Sequence, residues 1–79
     1  MELRLPELSG ESSEAVITVW HVAENGRVAK DQDLVEVTTD KATFDIPSPC
    51  DGVLTSIVKK EGETARTDEA IAEIQEDRS

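Results

Sequence analysis

A repeat inside the 79-residue chain narrows the choice of fold more than any other feature. His21-Val22-Ala23-Glu24-Asn25-Gly26-Arg27-Val28-Ala29-Lys30 aligns with Ile57-Val58-Lys59-Lys60-Glu61-Gly62-Glu63-Thr64-Ala65-Arg66. Val, Gly, Ala and a basic residue recur at matching places. One inserted residue later, Leu34-Val35-Glu36-Val37 matches Ile71-Ala72-Glu73-Ile74. Each half reads as strand, glycine turn, short strand, polar turn, strand. A chain of this length forms one small domain, so the repeat predicts two like halves within it, related by quasi-two-fold symmetry.

The strand candidates are Glu2 to Leu5, Ala15 to Val22, Arg27 to Val28, Leu34 to Thr39, Ala42 to Ile46, Gly52 to Val58, Thr64 to Ala65 and Ala70 to Gln75. Short strands between regular turn signals indicate an all-β sandwich or barrel. Thr64 to Glu73 is helix-like by propensity, but its repeat partner reads as strand. Gly26 and Gly62 each follow a polar pair and are expected to supply a positive φ at a turn. Gly52, after Cys50-Asp51, is read as a third structural turn glycine. Pro47 and Pro49 end the fifth strand, where the loss of a ladder donor is tolerated.

The two halves meet near Lys41, at the centre of a predicted hairpin. Folding Leu34 to Ile46 about the Asp40-Lys41 bond pairs Thr39 with Ala42, Val37 with Phe44 and Val35 with Ile46 on one face. Thr38 then meets Thr43, and Glu36 meets Asp45, on the other. Side chains alternate across a strand, so one face is apolar and one polar. A one-residue slip would turn the apolar set to water. The like charges of Glu36 and Asp45 place the polar face in solvent. Neither central residue of the Thr39-Asp40-Lys41-Ala42 turn is Gly, which favours type I over the primed turns. The lysine at the tip points away from any core.

Composition removes several classes of function. The chain has 8 basic and 18 acidic residues, for a net charge of −10. Such a surface repels phosphate backbones, so no nucleic acid is expected as partner. No apolar stretch approaches the roughly 18 residues of a membrane span, and Met1-Glu2-Leu3-Arg4 lacks the order of a secretion signal. Trp20 and Phe44 are the only large aromatics, so the core must be mostly aliphatic. Cys50 is the sole cysteine and no intrachain disulfide can form. It sits in a turn, and nothing brings the one histidine, His21, to it as a base. No convergent set of metal ligands is visible, and a chain of this size has little room for an enzyme pocket.

Thr39-Asp40-Lys41-Ala42, with Phe44-Asp45-Ile46-Pro47-Ser48-Pro49 and Asp51-Gly52-Val53, resembles the lipoyl domain of 2-oxo acid dehydrogenase acyltransferases. Leu5-Pro6-Glu7-Leu8, Glu11-Ser12 and Val19-Trp20-His21-Val22 are similar to the family's opening. Gly26 and Gly52 stand at the glycine positions flanking its modified lysine. The likeness runs from about Leu3 to Gln75, with Glu76 to Ser79 as a polar tail, so residues 1–79 are read as a single lipoyl domain. It departs from the family at Thr38, where Glu is usual, at Arg27, where Asp is frequent, and near Asp33, where glycine is common.

The resemblance implies a flattened β-barrel or sandwich of two four-stranded antiparallel sheets, which fits the symmetry read from the repeat. It implies lipoate joined to Lys41 by an amide, with Asp40 and Ala42 as flanking recognition residues. The domain would be a carrier rather than an enzyme. Its arm would take an acyl group from a thiamine-dependent 2-oxo acid decarboxylase and pass it to coenzyme A at the acyltransferase core, and dihydrolipoamide dehydrogenase would reoxidise it. A lipoate ligase or lipoyl transferase would attach the cofactor. The loop Leu8, Ser9, Gly10, Glu11, Ser12, Ser13 and Glu14 would help the decarboxylase choose its partner. Ala42 and Pro47-Ser48-Pro49 lean toward a pyruvate-type complex, Trp20-His21 toward an oxoglutarate one. The isolated domain is expected to be monomeric, in a bacterial cytoplasm or a mitochondrial matrix. Two other readings stay open: a biotinyl carrier, whose tip resembles Met-Lys-Met where this chain has Asp40 and Ala42, and an unmodified β-sandwich interaction module.

Overall fold

A computed structural model describes residues 1–7 and 14–77. Eight strands form in chain order: β1 (Glu2–Arg4), β2 (Glu14–Trp20), β3 (Arg27–Val28), β4 (Asp33–Thr38), β5 (Thr43–Pro47), β6 (Gly52–Ile57), β7 (Thr64–Arg66) and β8 (Ala70–Glu76). The described residues contain no helix. All pairings are antiparallel. One sheet runs β1-β8-β6-β3 and the other β5-β4-β2-β7. The architecture is a flattened sandwich of two four-stranded sheets, not a closed barrel. Alternation drives the layering. In β2, Ala15 and Ile17 are buried while Glu14, Val16 and Thr18 face water. The inward residues of both sheets make one aliphatic core, with Ile17, Leu34, Val37, Leu54 and Ile71 fully buried. Trp20 and Phe44 are only partly buried and pack against its edge.

The predicted symmetry is present, but its register differs from the one read off the letters. Between β2 and β4 and between β6 and β8, turn hydrogen bonds recur at a spacing of 37 residues. Gly26 N–H donates to the Ala23 carbonyl and Glu63 N–H to that of Lys60, both at 3.0 Å. Gln32 N–H donates to Ala29 and Glu69 N–H to Arg66, again both at 3.0 Å. Gly26 therefore corresponds to Glu63, and no residue is inserted between the repeats. The residue equivalent to Gly62 (φ 90°) is Asn25 (φ 72°). The positive φ expected of Gly26 belongs to Asn25, one of the few side chains that tolerate that region. Asp31 (φ 71°) and Asp68 (φ 69°) form a second matched pair.

Gly52 has a different role from the one expected. It opens β6 and its φ is not positive. A Cβ there would lie 2.2 Å from the Gln75 carbonyl oxygen. Since β6 is flanked by β8 and β3, neither neighbour can retreat without breaking a ladder. Gly52→Ala should therefore cost about 1–3 kcal/mol, read as a lower urea midpoint.

The matched turns differ in one chemically useful way. Gln32 Oε1 accepts from Ala29 N–H at 2.9 Å, and Glu69 Oε1 accepts from Arg66 N–H at 2.9 Å. Glu69 also meets Lys59 Nζ at 3.4 Å. The backbone hydrogen bond from Arg66, and then Lys59, hold the Glu69 carboxyl below the usual carboxylate range. A lowered folded pKa gives stability that is present above the unfolded pKa and lost as pH falls through the folded one. Glu69→Gln keeps the turn acceptor, as Gln32 does. Its melting temperature should fall slightly below the parent's at neutral pH, and the gap should close on acidification below the ordinary glutamate range.

Candidate functional site: the Lys41 hairpin

The β4–β5 hairpin has the register that alternation dictates. Val35 pairs with Ile46, Glu36 with Asp45, Val37 with Phe44 and Thr38 with Thr43. Val35, Val37 and Ile46 are buried and Phe44 is half-buried, while Asp45 and Thr43 are exposed and Glu36 is intermediate. The apolar face thus anchors the hairpin, and the like-charged rung lies in water. His21 Nε2 stands 3.6 Å from Asp45 Oδ1 on that wet side. Irregular pairing between Asp33 and Val35 lets Leu34 turn inward as well.

Above the last rung, Thr39 N–H donates to the Ala42 carbonyl at 2.8 Å. The Thr39 Oγ1 hydroxyl accepts from Lys41 N–H at 3.2 Å and from Ala42 N–H at 3.1 Å, and lies 3.1 Å from the Ala42 carbonyl oxygen. Asp40, Lys41 and Ala42 are exposed, and none has a positive φ. That excludes the primed turns, as the absence of glycine implied. Lys41 therefore sits at the tip with its side chain outside the core. The role of Thr39 was not read from the sequence, although a threonine two residues before a turn residue is a known local signal.

Lys30 and Lys60 also lie at turns, in the segments between β3 and β4 and between β6 and β7. Those segments link strands of different sheets, whereas the Lys41 turn closes two neighbouring strands of one. Lys59 pairs with Glu69, and its carbonyl accepts from Trp20 Nε1 at 2.9 Å. Of the loop expected to recognise a decarboxylase, Leu8, Ser9, Gly10, Glu11, Ser12 and Ser13 lie outside the described residues. Glu14 is exposed at the start of β2, opposite Arg66.

Cys50 is more deeply buried than its turn position suggested, at 6% exposure, with its Sγ 3.7 Å from Met1 Sδ. Buried Ser48 donates its hydroxyl to the Cys50 carbonyl at 2.6 Å. Among the described residues, no three His, Cys, Asp or Glu side chains gather as metal ligands. Loss of solvation, then the charge of Glu76, pushes the Cys50 thiol up. The thiolate is the reactive form. Cys50 should thus react slowly with an aromatic disulfide reagent at neutral pH in the folded protein and quickly in denaturant, as followed by absorbance.

Residues 1–74 match the biotin–lipoyl family described as "Biotin-requiring enzyme", and the chain belongs to this family. It is 39% identical over 74 residues to the dihydrolipoyllysine-residue succinyltransferase component of the 2-oxoglutarate dehydrogenase complex of Cupriavidus necator. It is 34% identical over 74 residues to the component of the same name from Buchnera aphidicola. Each match covers 94% of this chain and 18% of the relative, so the chain spans about a fifth of these curated proteins. The solution structure of the lipoyl domain of the Azotobacter vinelandii 2-oxoglutarate dehydrogenase complex superposes with a TM-score of 0.78 at 26% identity. That comparison covers 96% of both chains, and the fold is that of a lipoyl domain.

Proposed function

We propose that this chain is a lipoyl carrier domain of a 2-oxo acid dehydrogenase acyltransferase, with lipoate joined by an amide to Lys41. The observation that carries this reading is the exposed lysine at the tip of an edge hairpin, in a chain whose relatives are dihydrolipoyllysine acyltransferases. The residues fit the group. The amine stands outside the core on a long flexible stem, and its flanks, Asp40 and Ala42, are exposed to a modifying enzyme. When bound, the dithiolane supplies the reversible disulfide–dithiol chemistry that accepts and releases an acyl group. The chain's own part is presentation. Val35, Val37 and Ile46 lock the register, and the tip holds the lysine in water. Lys41 acts as an attachment point rather than a base, and amide formation removes its charge.

The named relatives belong to 2-oxoglutarate complexes. They favour succinyl transfer over the pyruvate-type complex toward which Ala42 and Pro47-Ser48-Pro49 lean. The partners that follow are a thiamine-dependent 2-oxoglutarate decarboxylase, an acyltransferase core, dihydrolipoamide dehydrogenase, and a lipoate ligase or lipoyl transferase. The absence of methionine on either side of Lys41 disfavours the biotinyl alternative.

Expression with lipoate ligase and lipoate should add one lipoyl mass to the intact protein, and Lys41→Arg should abolish it. A biotin ligase should leave the parent chain unmodified. Efficient biotinylation, or lipoate on Lys59, would overturn the assignment.

A further inference from the structure

Four other turns among the described residues are closed by a backbone N–H three residues on, and each has a left-handed residue in third place. They are Ala23–Gly26 with Asn25, Ala29–Gln32 with Asp31, Lys60–Glu63 with Gly62, and Arg66–Glu69 with Asp68. The Lys41 turn is built otherwise. It contains no left-handed residue, and the two N–H groups at its far side, those of Lys41 and Ala42, both donate to the Thr39 hydroxyl. A side-chain oxygen occupies the place that a carbonyl takes in the other four.

This difference has a chemical reason. A turn closed through a left-handed residue favours Gly, Asn or Asp in third place, and the third residue here is Lys41. A lysine held at positive φ would be strained. Gathering the N–H groups on a hydroxyl leaves Lys41 in an ordinary backbone region and still orders the tip. The partners of that hydroxyl are exposed, so water competes for them.

We infer that the Thr39 hydroxyl is a positioning group for modification of Lys41: it raises the population of the tip conformation that the lipoyl-attaching enzyme binds. This rests on the reading of Lys41 as the lipoyl site. If the enzyme binds only the ordered tip, its apparent affinity scales with the fraction of chains that hold it. Removing the hydroxyl should then raise KM and leave kcat in place, since Thr39 touches no reacting atom. Losing the hydroxyl's three hydrogen bonds, each of modest net strength, predicts a rise of up to roughly tenfold, the limit reached where the ordered tip is the minor state.

The test compares the parent with Thr39→Val, Thr39→Ser and Thr43→Val. The last removes a hydroxyl one rung below the tip, where the strand ladder sets the backbone. Initial rates of lipoylation by lipoate ligase give KM and kcat, amide exchange at Lys41 and Ala42 reports the turn, and thermal melts report the fold. Thr39→Val should show faster exchange at both amides, a KM raised by up to about tenfold and an unchanged kcat. Thr39→Ser should stay within about twofold of the parent, because serine keeps the acceptor, and Thr43→Val should match the parent. Unchanged KM in a Thr39→Val protein with accelerated exchange would overturn the inference, as would unaltered exchange. An equal loss in Thr43→Val would overturn it too. A parent chain that takes no lipoate at Lys41 would instead refute the proposed function.

Discussion

The structure depends on a reciprocal clasp across its pseudo-two-fold axis. Each half gives two strands to each sheet, and its short strand lies in the sheet centred on the other half's long pair. Thus β7 closes the sheet of β5, β4 and β2, and β3 closes that of β1, β8 and β6. The hydrogen bonds that fix the exchange come in pairs. Asn25 N–H donates to Leu54 and Gly62 N–H to Ile17, while Leu54 N–H donates to Gly26 and Ile17 N–H to Glu63. Glutamates complete the clasp: Glu61 accepts from Trp20 N–H at 2.9 Å, and Glu24 accepts from Ile57 N–H at 2.7 Å. Neither half can bury Ile17 or Leu54 without the other. A domain this small buries only about 60% of its unfolded surface, and sharing one core between two interlocked halves is how it gathers enough.

That clasp explains which features the letters revealed. Alternation in Val35, Val37, Phe44 and Ile46 fixed the hairpin register, because a half-buried strand has only one face it can turn inward. All eight strands could be placed to within a residue or two for the same reason. The symmetry was visible too, but its spacing was anchored on the wrong pair. Gly26 and Gly62 are identical letters, yet the left-handed position is filled by Asn25 in one half and Gly62 in the other. Residue identity tracks backbone conformation only loosely where two residue types tolerate the same φ.

Other features were hidden because they are tertiary. Gly52 is required by the Gln75 carbonyl, which a reading of the local sequence does not bring near. Cys50 reads as a turn residue, yet the structure buries it, with Met1 Sδ 3.7 Å from its sulfur. Thr39 is the opposite case. Its bonds are local and its letter was in plain view, but it was read as a rung partner of Ala42. A hydroxyl on a strand end serves as an acceptor for a turn as readily as it fills a face.

The hairpin that carries Lys41 also has to remain alone. It contributes β5, an edge strand, and exposed edges invite pairing with other chains. Two features oppose that. Pro47 ends the edge without a donor, and Asp45 faces Glu36 across the rung. The like-charge rung has a symmetric counterpart, Glu2 opposite Glu73, but there Arg4 bridges Glu2 at 2.6 Å. At the position equivalent to Arg4 the hairpin has Pro47, and Lys41 is the only basic residue between positions 31 and 58. The same scaffold therefore sets a guanidinium against the like-charge rung at one edge and, at the other, the imidazole of His21, 3.6 Å from Asp45 Oδ1. A small cost at the Glu36–Asp45 rung is consistent with an edge that resists annealing to other chains along its length.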